Sequence, residues 1–192
     1  MSFAQKTIRQ TYLAEYADSR EPRYELIEGK IFAIVGASGK HILIAGNLHT
    51  ALNVHLKGKK CVPFMESLKV YIDDSNYFYP NLVVDFDYDD SLPDYASQPV
   101  MVVEVLSPST RKFDLTTKFE QYIKIQSLQE YVLIEQSAMQ VSVFRRNQAW
   151  AVTHYFADDV VVLESIGLHL PIEEIYERIV FDDKTYARVS IL

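Results

Sequence analysis

A glutamate stands in the middle of a nearly continuous apolar run of this 192-residue sequence. Residues 101–106 read Met-Val-Val-Glu-Val-Leu, a pattern typical of a central strand that is covered on both faces. An unpaired buried carboxylate is so costly that it normally becomes neutral, pairs with a base or binds a cation. Glu104 is therefore the first candidate for chemistry, and the alternative is a structural ion pair or a strand-end glutamate that faces solvent.

Two further side chains could reach Glu104. Asn81 begins a predicted strand, and the side chains of residues 81 and 104 converge if their strands are neighbours. Lys118 lies on a predicted helix, where Asp114, Lys118 and Tyr122 are spaced by four residues along one stripe. A lysine on this stripe could pair with the buried carboxylate. The alternative is a surface pair between Asp114 and Lys118, which contributes only a few tenths of a kcal/mol.

Hydrophobic periodicity and turn residues predict the elements that position these side chains. Helices are expected at 7–18, 38–56, 114–125 and 170–176, the second with Ser38 as its N-cap and Gly58 after its end. Strands are expected as a hairpin of 24–27 and 30–35, and then at 61–65, 68–72, 79–86, 100–106, 131–135, 141–145 and 150–155. Tyr24 and Tyr122 are predicted to pack in the core.

Composition excludes several classes of protein. With 26 acidic and 19 basic residues the net charge is −7, so a nucleic acid must be met locally rather than over the whole surface. The single cysteine, Cys61, excludes an internal disulfide framework and a cysteine-based zinc site. Because the N-terminal stretch has no long apolar region either, we expect a cytoplasmic protein without a membrane span. Since no repeat or linker is evident, we expect a helical appendage over 1–20 and a single domain over 21–192.

Five segments together resemble the Uma-two family of endonucleases. They are Tyr-Glu-Leu-Ile-Glu-Gly at 24–29, Tyr-Pro-Asn-Leu-Val-Val at 79–84, Val-Val-Glu-Val-Leu-Ser-Pro-Ser-Thr at 102–110, Asp114 with Lys118, and Leu-Gln-Glu-Tyr-Val-Leu-Ile at 128–134. The family belongs to the PD-(D/E)XK restriction-endonuclease-like superfamily. The resemblance spans roughly residues 20–180.

The resemblance implies an α/β fold of three layers, restriction-endonuclease-like, with a mixed central β-sheet flanked by helices and an extra β-hairpin region. It also implies Mg²⁺- or Mn²⁺-dependent hydrolysis of DNA phosphodiesters, in which carboxylates at strand ends hold the metal and a lysine stabilises negative charge. By position, Asn81 and Glu104 would be the first and second ligands, and Lys118 the lysine.

Two positions depart from the pattern that the resemblance implies. Asn81 stands where the family has aspartate, and an amide oxygen can ligate a cation without supplying negative charge. The superfamily's lysine usually follows two residues after the glutamate, where this chain has Leu106, so Lys118 has to serve instead. The second hypothesis is therefore a catalytically impaired relative that acts as a nucleic-acid-binding or protein-interaction module.

Glu25 and His41 match two further positions that recur in the family. The resemblance implies that Glu25 is an additional metal ligand and that His41 contacts phosphate or water. A histidine near the start of a helix is, however, more often a packing or capping residue. The segment 36–41 resembles a phosphate-binding P-loop in its place between strand and helix, but it lacks the first glycine and the Ser or Thr after Lys40.

Other basic and apolar segments give weaker predictions. Basic residues gather at 57–60, 111–112 and 145–146, where they could contact a phosphate backbone or simply lie in solvated turns. The predicted hairpin of 141–144 and 151–153 has an apolar face that a homodimer could cover.

Overall fold

The computed structural model describes residues 7–19, 22–34, 36–66, 68–89, 91 and 95–181. Four helical segments occur in this part of the chain: α1 (Ile8–Glu15), α2 (Gly39–Leu56), α3 and α4 (Ile172–Ile175). Helix α3 combines an α-helical start (Arg111–Phe113), a π-helical turn (Asp114–Lys118) and an α-helical end (Phe119–Tyr122). Short 3₁₀ turns lie at Arg146–Gln148 and Glu164–Ile166.

The strands form one large and two smaller sheets. In chain order they are β1 (Tyr24–Ile27), β2 (Lys30–Ala33), β3 (Cys61–Met65), β4 (Lys69–Asp73), β5 (Asn76–Phe78), β6 (Leu82–Phe86), β7 (Tyr95–Ala96), β8 (Pro99–Leu106), β9 (Glu130–Glu135), β10 (Gln140–Arg145), β11 (Ala151–Phe156), β12 (Val160–Leu163) and β13 (Leu168–Pro171). The largest sheet has the order β11-β10-β9-β8-β6-β3, the second β2-β1-β5-β4-β7, and β12 pairs with β13.

Strand β8 lies near the middle of the largest sheet, which confirms the expectation of a covered central strand. It runs parallel to β9 and antiparallel to β6, so the sheet is mixed as predicted. Leu82 of β6 pairs with Val103 of β8, and the adjoining positions on the two strands are Asn81 and Glu104. The register therefore brings residues 81 and 104 together.

The two faces of β8 pack against different layers. Met101, Val103 and Val105 belong to the core that α2 covers with Ile44 and Leu48. The alternate residues of β8, Val102 and Leu106, face a second core. In this core they pack with Tyr131 of β9, with Tyr122 of α3, and with Phe78 and Val70 of the second sheet. Glu104 has the parity of this second face, so its carboxylate enters the layer that contains α3.

Local sequence explains where α2 begins and ends. The side chain of Ser38 accepts a hydrogen bond from the backbone N–H of His41 (3.2 Å), which confirms the predicted N-cap. Gly58 has a φ of +77° in the turn after the helix, a conformation that glycine adopts without strain. Helix α2 is therefore delimited by a serine cap and a glycine turn.

Helix α1 packs against the second sheet. Tyr12 is fully buried there with Leu26 and Tyr77, and its hydroxyl donates to the carbonyl oxygen of Tyr24 (2.8 Å). The division into an appendage over 1–20 and a domain over 21–192 stays a prediction, and residues 1–6, 20 and 182–192 lie outside the described part of the chain. Among the described helices, none is long and apolar enough to cross a membrane.

Several boundaries differ from the prediction. The strand expected at 79–86 begins only at Leu82, because residues 79–81 leave the ladder to contact Glu25 and Glu104. The closing helix expected at 170–176 is shorter: residues 170 and 171 end β13, and the helix begins at Ile172. Strands β5, β7, β12 and β13 were not predicted, since their short runs lack a clear alternation. Residue 35 of the predicted hairpin lies outside the described residues.

Candidate active site

Glu104 is buried and fully engaged in hydrogen bonds. Only 3% of the residue is exposed. Its Oε1 accepts from Lys118 Nζ at 2.9 Å and from the hydroxyl of Tyr122 at 3.1 Å, and its Oε2 accepts from the backbone N–H of Asn81 at 3.3 Å. The alternative of a solvent-facing strand-end glutamate is therefore wrong.

Lys118 lies among three carboxylates. Its Nζ is 2.9 Å from Glu104 Oε1, 3.2 Å from Glu25 Oε1 and 3.7 Å from Asp114 Oδ1. All four residues are buried, so the interpretation of Asp114 and Lys118 as a surface pair is also wrong. The ammonium is the common partner of carboxylates from β1, β8 and α3.

The cluster contains three carboxyl groups and one ammonium group. Burial raises the pKa of Glu104 to about 8, although the Lys118 ammonium opposes this shift. Burial also raises the pKa of Asp114. For Lys118 burial favours the neutral form, but the three carboxylates outweigh it and raise the pKa. If every group were ionised, two negative charges would lack a counter-charge, which a proton or a bound cation can supply.

Asn81 joins β6 to β8 through its side chain as well as its backbone. Its Oδ1 accepts from the backbone N–H of Val105 at 2.7 Å, while its own N–H contacts Glu104. The amide oxygen that could ligate a cation therefore already holds one hydrogen bond. An aspartate could accept the same bond with one oxygen and keep the other available.

The π-helical turn of α3 carries Asp114 and Lys118 at its two ends. Turns of this kind insert one extra residue into a helix and are frequent at functional sites. Asp114 Oδ1 is buried and has no hydrogen-bond partner among the described residues. Tyr122, predicted only to pack, donates its hydroxyl to Glu104; its place on the stripe of Lys118 was the signal for this contact.

Glu25 and His41 both line the same cavity as Lys118 but have different hydrogen-bond partners. Glu25 Oε1 accepts from the backbone N–H of Tyr79 at 2.8 Å in addition to its ion pair with Lys118. His41 Nδ1 is 3.3 Å from Gln136 Nε2, and burial lowers the pKa of the imidazole.

A cavity of about 300 Å³ brings the predicted residues together. Glu25, His41, Asn81, Glu104 and Lys118 all line it. Sequence reasoning did not assign the other polar lining residues to the site: Arg23, Ser38, Glu66, Tyr79, Ser107, Ser109, Thr110, Asp114 and Gln136. Many of these follow or precede a strand directly, and that position is the only signal that could have found them.

The donors available to a metal are oxygen atoms. Glu104, Asn81 and Glu25 offer carboxyl and amide oxygens, the chemistry that Mg²⁺ and Mn²⁺ prefer. Within the described ranges, however, no group of three or more His, Cys, Asp and Glu side chains is arranged to hold a metal ion. The oxygen donors fit a hard cation in chemical type.

The arginines of two predicted basic clusters make hydrogen bonds or ion pairs within the fold. Arg145 is 2% exposed and its Nε is 3.2 Å from Glu130 Oε1. Arg146 donates to the carbonyl oxygens of Leu128 and Ile123, and Arg111 pairs with Glu135. The interpretation as a phosphate contact is wrong for Arg145, because this residue is buried. Arg111 and Arg146 are partly exposed, and their guanidinium groups hold elements together. Residues 57–60 and Lys112 are exposed.

The family model of Uma2, described as "Putative restriction endonuclease", matches residues 9–173. The chain belongs to the Uma2 family. Two relatives come from Synechocystis sp., each bearing the name "Uncharacterized protein". The protein slr1290 is 32% identical over 87% of this chain and 90% of its own length. The protein sll1609 is 30% identical over 78% of this chain and 89% of its own length.

A solved structure shares the fold of this Uma2 chain. It is described as a putative nuclease belonging to DUF820 from Anabaena variabilis, with a TM-score of 0.74 at 22% identity. The likeness covers 90% of this chain and 98% of that chain. The predicted fold class, mixed sheets flanked by helices as in a nuclease, is confirmed.

Proposed function

We propose that this Uma2 chain is a metal-dependent endonuclease that hydrolyses DNA phosphodiester bonds. The observation that carries the proposal is the Glu104–Lys118 pair, buried at 2.9 Å in the wall of a cavity whose carboxylates outnumber its cations. Membership of a family whose description is "Putative restriction endonuclease" supports the reaction class. DNA as the substrate and Mg²⁺ or Mn²⁺ as the cofactor are parts of the proposal.

Glu104, Asn81 and Glu25 are the residues that would hold the cation. The bound metal would polarise the phosphate and lower the pKa of a water molecule. Glu104 lies on β8, and Asn81 directly precedes the adjacent strand β6. A backbone N–H orients each side-chain oxygen, Oε2 of Glu104 and Oδ1 of Asn81. These hydrogen bonds fix the oxygen atoms before a ligand arrives, which lowers the cost of ordering them.

Lys118 orients Glu104 and supplies positive charge in a buried wall of the cavity. Its ammonium is held between three carboxylates, whose attraction keeps it protonated. A fixed cation in a water-poor site stabilises the negative charge that develops on the phosphate during hydrolysis. Tyr122 supports the arrangement through its hydrogen bond to Glu104.

Nicking of supercoiled plasmid tests the proposal. Wild-type protein should convert supercoiled to open-circular DNA with Mg²⁺ or Mn²⁺ and not with EDTA, and Glu104→Ala should lose this activity. Glu120→Ala is the matched control, because Glu120 is an exposed carboxylate on the same helix as Lys118. Equal nicking by wild type and Glu104→Ala would refute the assignment.

A catalytically impaired relative is the second candidate, and one observation favours it. Asn81 Oδ1 is occupied by the N–H of Val105 and carries no negative charge, so affinity for a cation is reduced. Such a protein would bind DNA and leave it uncut with either metal. Nicking gained only in Asn81→Asp would identify this case.

A further inference from the structure

Two cationic side chains of different accessibility line the cavity. Within the described ranges, Arg23 and Lys118 are the arginine and the lysine of this lining. The side chain of Lys118 is 8% exposed, whereas that of Arg23 is 29% exposed. The ammonium of Lys118 has three N–H groups and three carboxyl partners, so the cluster encloses it. An anion that enters the cavity therefore meets an accessible positive charge at Arg23.

Strand β1 directs the side chain of Arg23 to the same side as that of Glu25. Arg23 directly precedes β1, and side chains two residues apart in an extended chain lie on one face. The carbonyl oxygen of Arg23 accepts from the N–H of Ile34 at 2.7 Å, so the backbone here continues the pairing with β2. The face of β1 that carries Glu25 to Lys118 thus also carries Arg23.

Contacts with Glu66 and Tyr79 hold the guanidinium group of Arg23. Its Nη1 donates to the carbonyl oxygen of Glu66, and its Nη2 lies 3.4 Å from the Glu66 carboxylate. The guanidinium carbon is 5.7 Å from the centre of the Tyr79 ring, within the range of a cation–π contact. The backbone N–H of Glu66 donates in turn to the carbonyl oxygen of Asn81 at 3.0 Å. Glu66 therefore connects Arg23 to Asn81, one of the residues proposed to hold the cation.

These contacts leave part of the guanidinium group available to a ligand. It has five N–H groups, and within the described part of the chain two of them contact Glu66. Glu66 itself has a φ of +40°, a left-handed conformation that is uncommon in residues other than glycine and that recurs at ligand sites. A planar guanidinium that packs on an aromatic ring and keeps N–H groups available is suited to binding phosphate.

We propose that Arg23 binds a backbone phosphate of DNA beside the oxygen atoms that would hold the cation. The guanidinium keeps its hydrogen bond to the carbonyl oxygen of Glu66, and a phosphate oxygen takes the place of the Glu66 carboxylate. Lys118 acts from within the carboxyl cluster, whereas Arg23 makes the direct contact with the substrate. This contact rests on the proposed function, since it takes DNA to be the substrate.

Binding of a fluorescein-labelled DNA duplex in EDTA at several salt concentrations tests the contact without hydrolysis. Arg23→Gln should weaken binding about tenfold, the loss of one hydrogen bond to a charged acceptor. It should also reduce the slope of log affinity against log salt by about one, because one phosphate contact is lost. Arg23→Lys should keep the slope of wild type and bind more weakly, because an ammonium cannot donate two parallel hydrogen bonds.

Glu66→Gln tests the same contact in a variant that retains Arg23. The substitution removes the charge that competes with phosphate for the guanidinium and keeps the backbone contacts of residue 66. Binding of the duplex should therefore tighten by about threefold, the effect of one partly exposed charge. A purely structural role of the Arg23–Glu66 pair predicts no tightening, and that result would count against the contact.

Arg9→Gln is the matched control. Arg9 also pairs with a carboxylate, Asp74 at 3.2 Å, but it lies on α1 outside the cavity lining. This variant should bind DNA with the slope of wild type. Sodium phosphate and sodium chloride at equal ionic strength should displace the duplex equally, whereas stronger displacement by phosphate would assign the contact to free phosphate and overturn the proposal.

The remaining outcomes separate this contact from the nuclease activity. Unchanged affinity and slope in folded Arg23→Gln would overturn the contact and leave the nuclease standing. Arg23-dependent binding without any nicking by wild type would retain the contact and refute the nuclease. Failure of folded wild type to bind the duplex would overturn both.

Discussion

At Lys118, a single ammonium group contacts carboxyl groups that come from three separate elements. Glu25 lies on β1, Glu104 on β8 and Asp114 on α3, and their oxygens are 2.9 to 3.7 Å from Nζ. Removing one member of a buried ion pair leaves an unpaired charge, which is far costlier than the loss of a surface pair. The stability of the site thus depends on Lys118 more than on any one carboxylate.

We expect Lys118→Met to abolish nicking and to lower the free energy of unfolding by about 3–5 kcal/mol at pH 7. The apolar side chain retains the volume and leaves the carboxylates unpaired. Urea unfolding followed by circular dichroism measures the effect. Lys124→Met, which alters an exposed lysine just after α3, should change stability by less than about 0.5 kcal/mol. Equal stability of the two variants would contradict the buried cluster.

The raised pKa of Glu104 predicts a pH dependence of stability in the metal-free protein. Between its ordinary value of 4.5 and about 8 the folded state holds a proton that the unfolded state has released. Stability contributed by this group is therefore complete below pH 4.5 and falls as the pH rises to about 8. Glu104→Gln should flatten this part of the profile, measured by urea unfolding in EDTA. A profile that rises over this window in wild type and is unchanged in Glu104→Gln would refute the shift.

The sequence predicted those helices and strands that have a strong local pattern. The apolar run around Glu104 identified β8, and the cap at Ser38 identified α2. The π-helical turn of α3 was not predictable, because residues 114–118 have the same apolar spacing as a regular helix. Strand β5 was missed because its three residues gain their partners, β1 and β4, only in the folded sheet.

The burial of Arg145 at the end of β10 was not predictable either, because its sequence context resembles a solvated turn. Arg145 donates to Glu130, to Thr153 and Tyr155 of β11, and to the carbonyl oxygen of Val162. One guanidinium group thereby connects strands β9 to β12.

Arg145→Ala should therefore destabilise the fold by about 3–5 kcal/mol. Any folded fraction should bind DNA with the salt dependence of wild type, because the group contacts no phosphate. Thermal unfolding and fluorescence binding at several salt concentrations measure the two effects. Arg178→Ala is the control, as this arginine is exposed and pairs with the neighbouring Glu177. A loss of salt dependence in folded Arg145→Ala would restore the phosphate-contact interpretation.

For the whole molecule, the net charge of −7 means that the proposed DNA substrate would be bound locally rather than over the whole surface. The cavity lies at the N-terminal end of α2, whereas the basic residues at 57–60 follow its C-terminal end, about 27 Å away for an 18-residue helix. Lys112 is exposed in the first turn of α3, directly after the loop that lines the cavity. The cytoplasmic location and the homodimer expected from β10 and β11 stay predictions.

Position thus predicts which lysines contact the DNA backbone. Lys112→Ala should reduce the slope of log affinity against log salt by about one, and Lys59→Ala should leave it unchanged. Fluorescence titration of a DNA duplex in EDTA at four salt concentrations gives both slopes. The reverse order of effects would place the DNA at the other end of α2.

In the proposed metal-dependent hydrolysis, residue 81 and Glu104 act together. Asn81→Asp keeps an acceptor for the N–H of Val105 and adds a negative oxygen beside Glu104, so cation affinity should rise. The most direct measurement is the rate of plasmid nicking in Mn²⁺ for wild type, Asn81→Asp and Asn81→Asp/Glu104→Ala under identical salt. We expect faster nicking by Asn81→Asp than by wild type, and none by the double variant. Nicking by the double variant at the rate of Asn81→Asp would contradict this expectation.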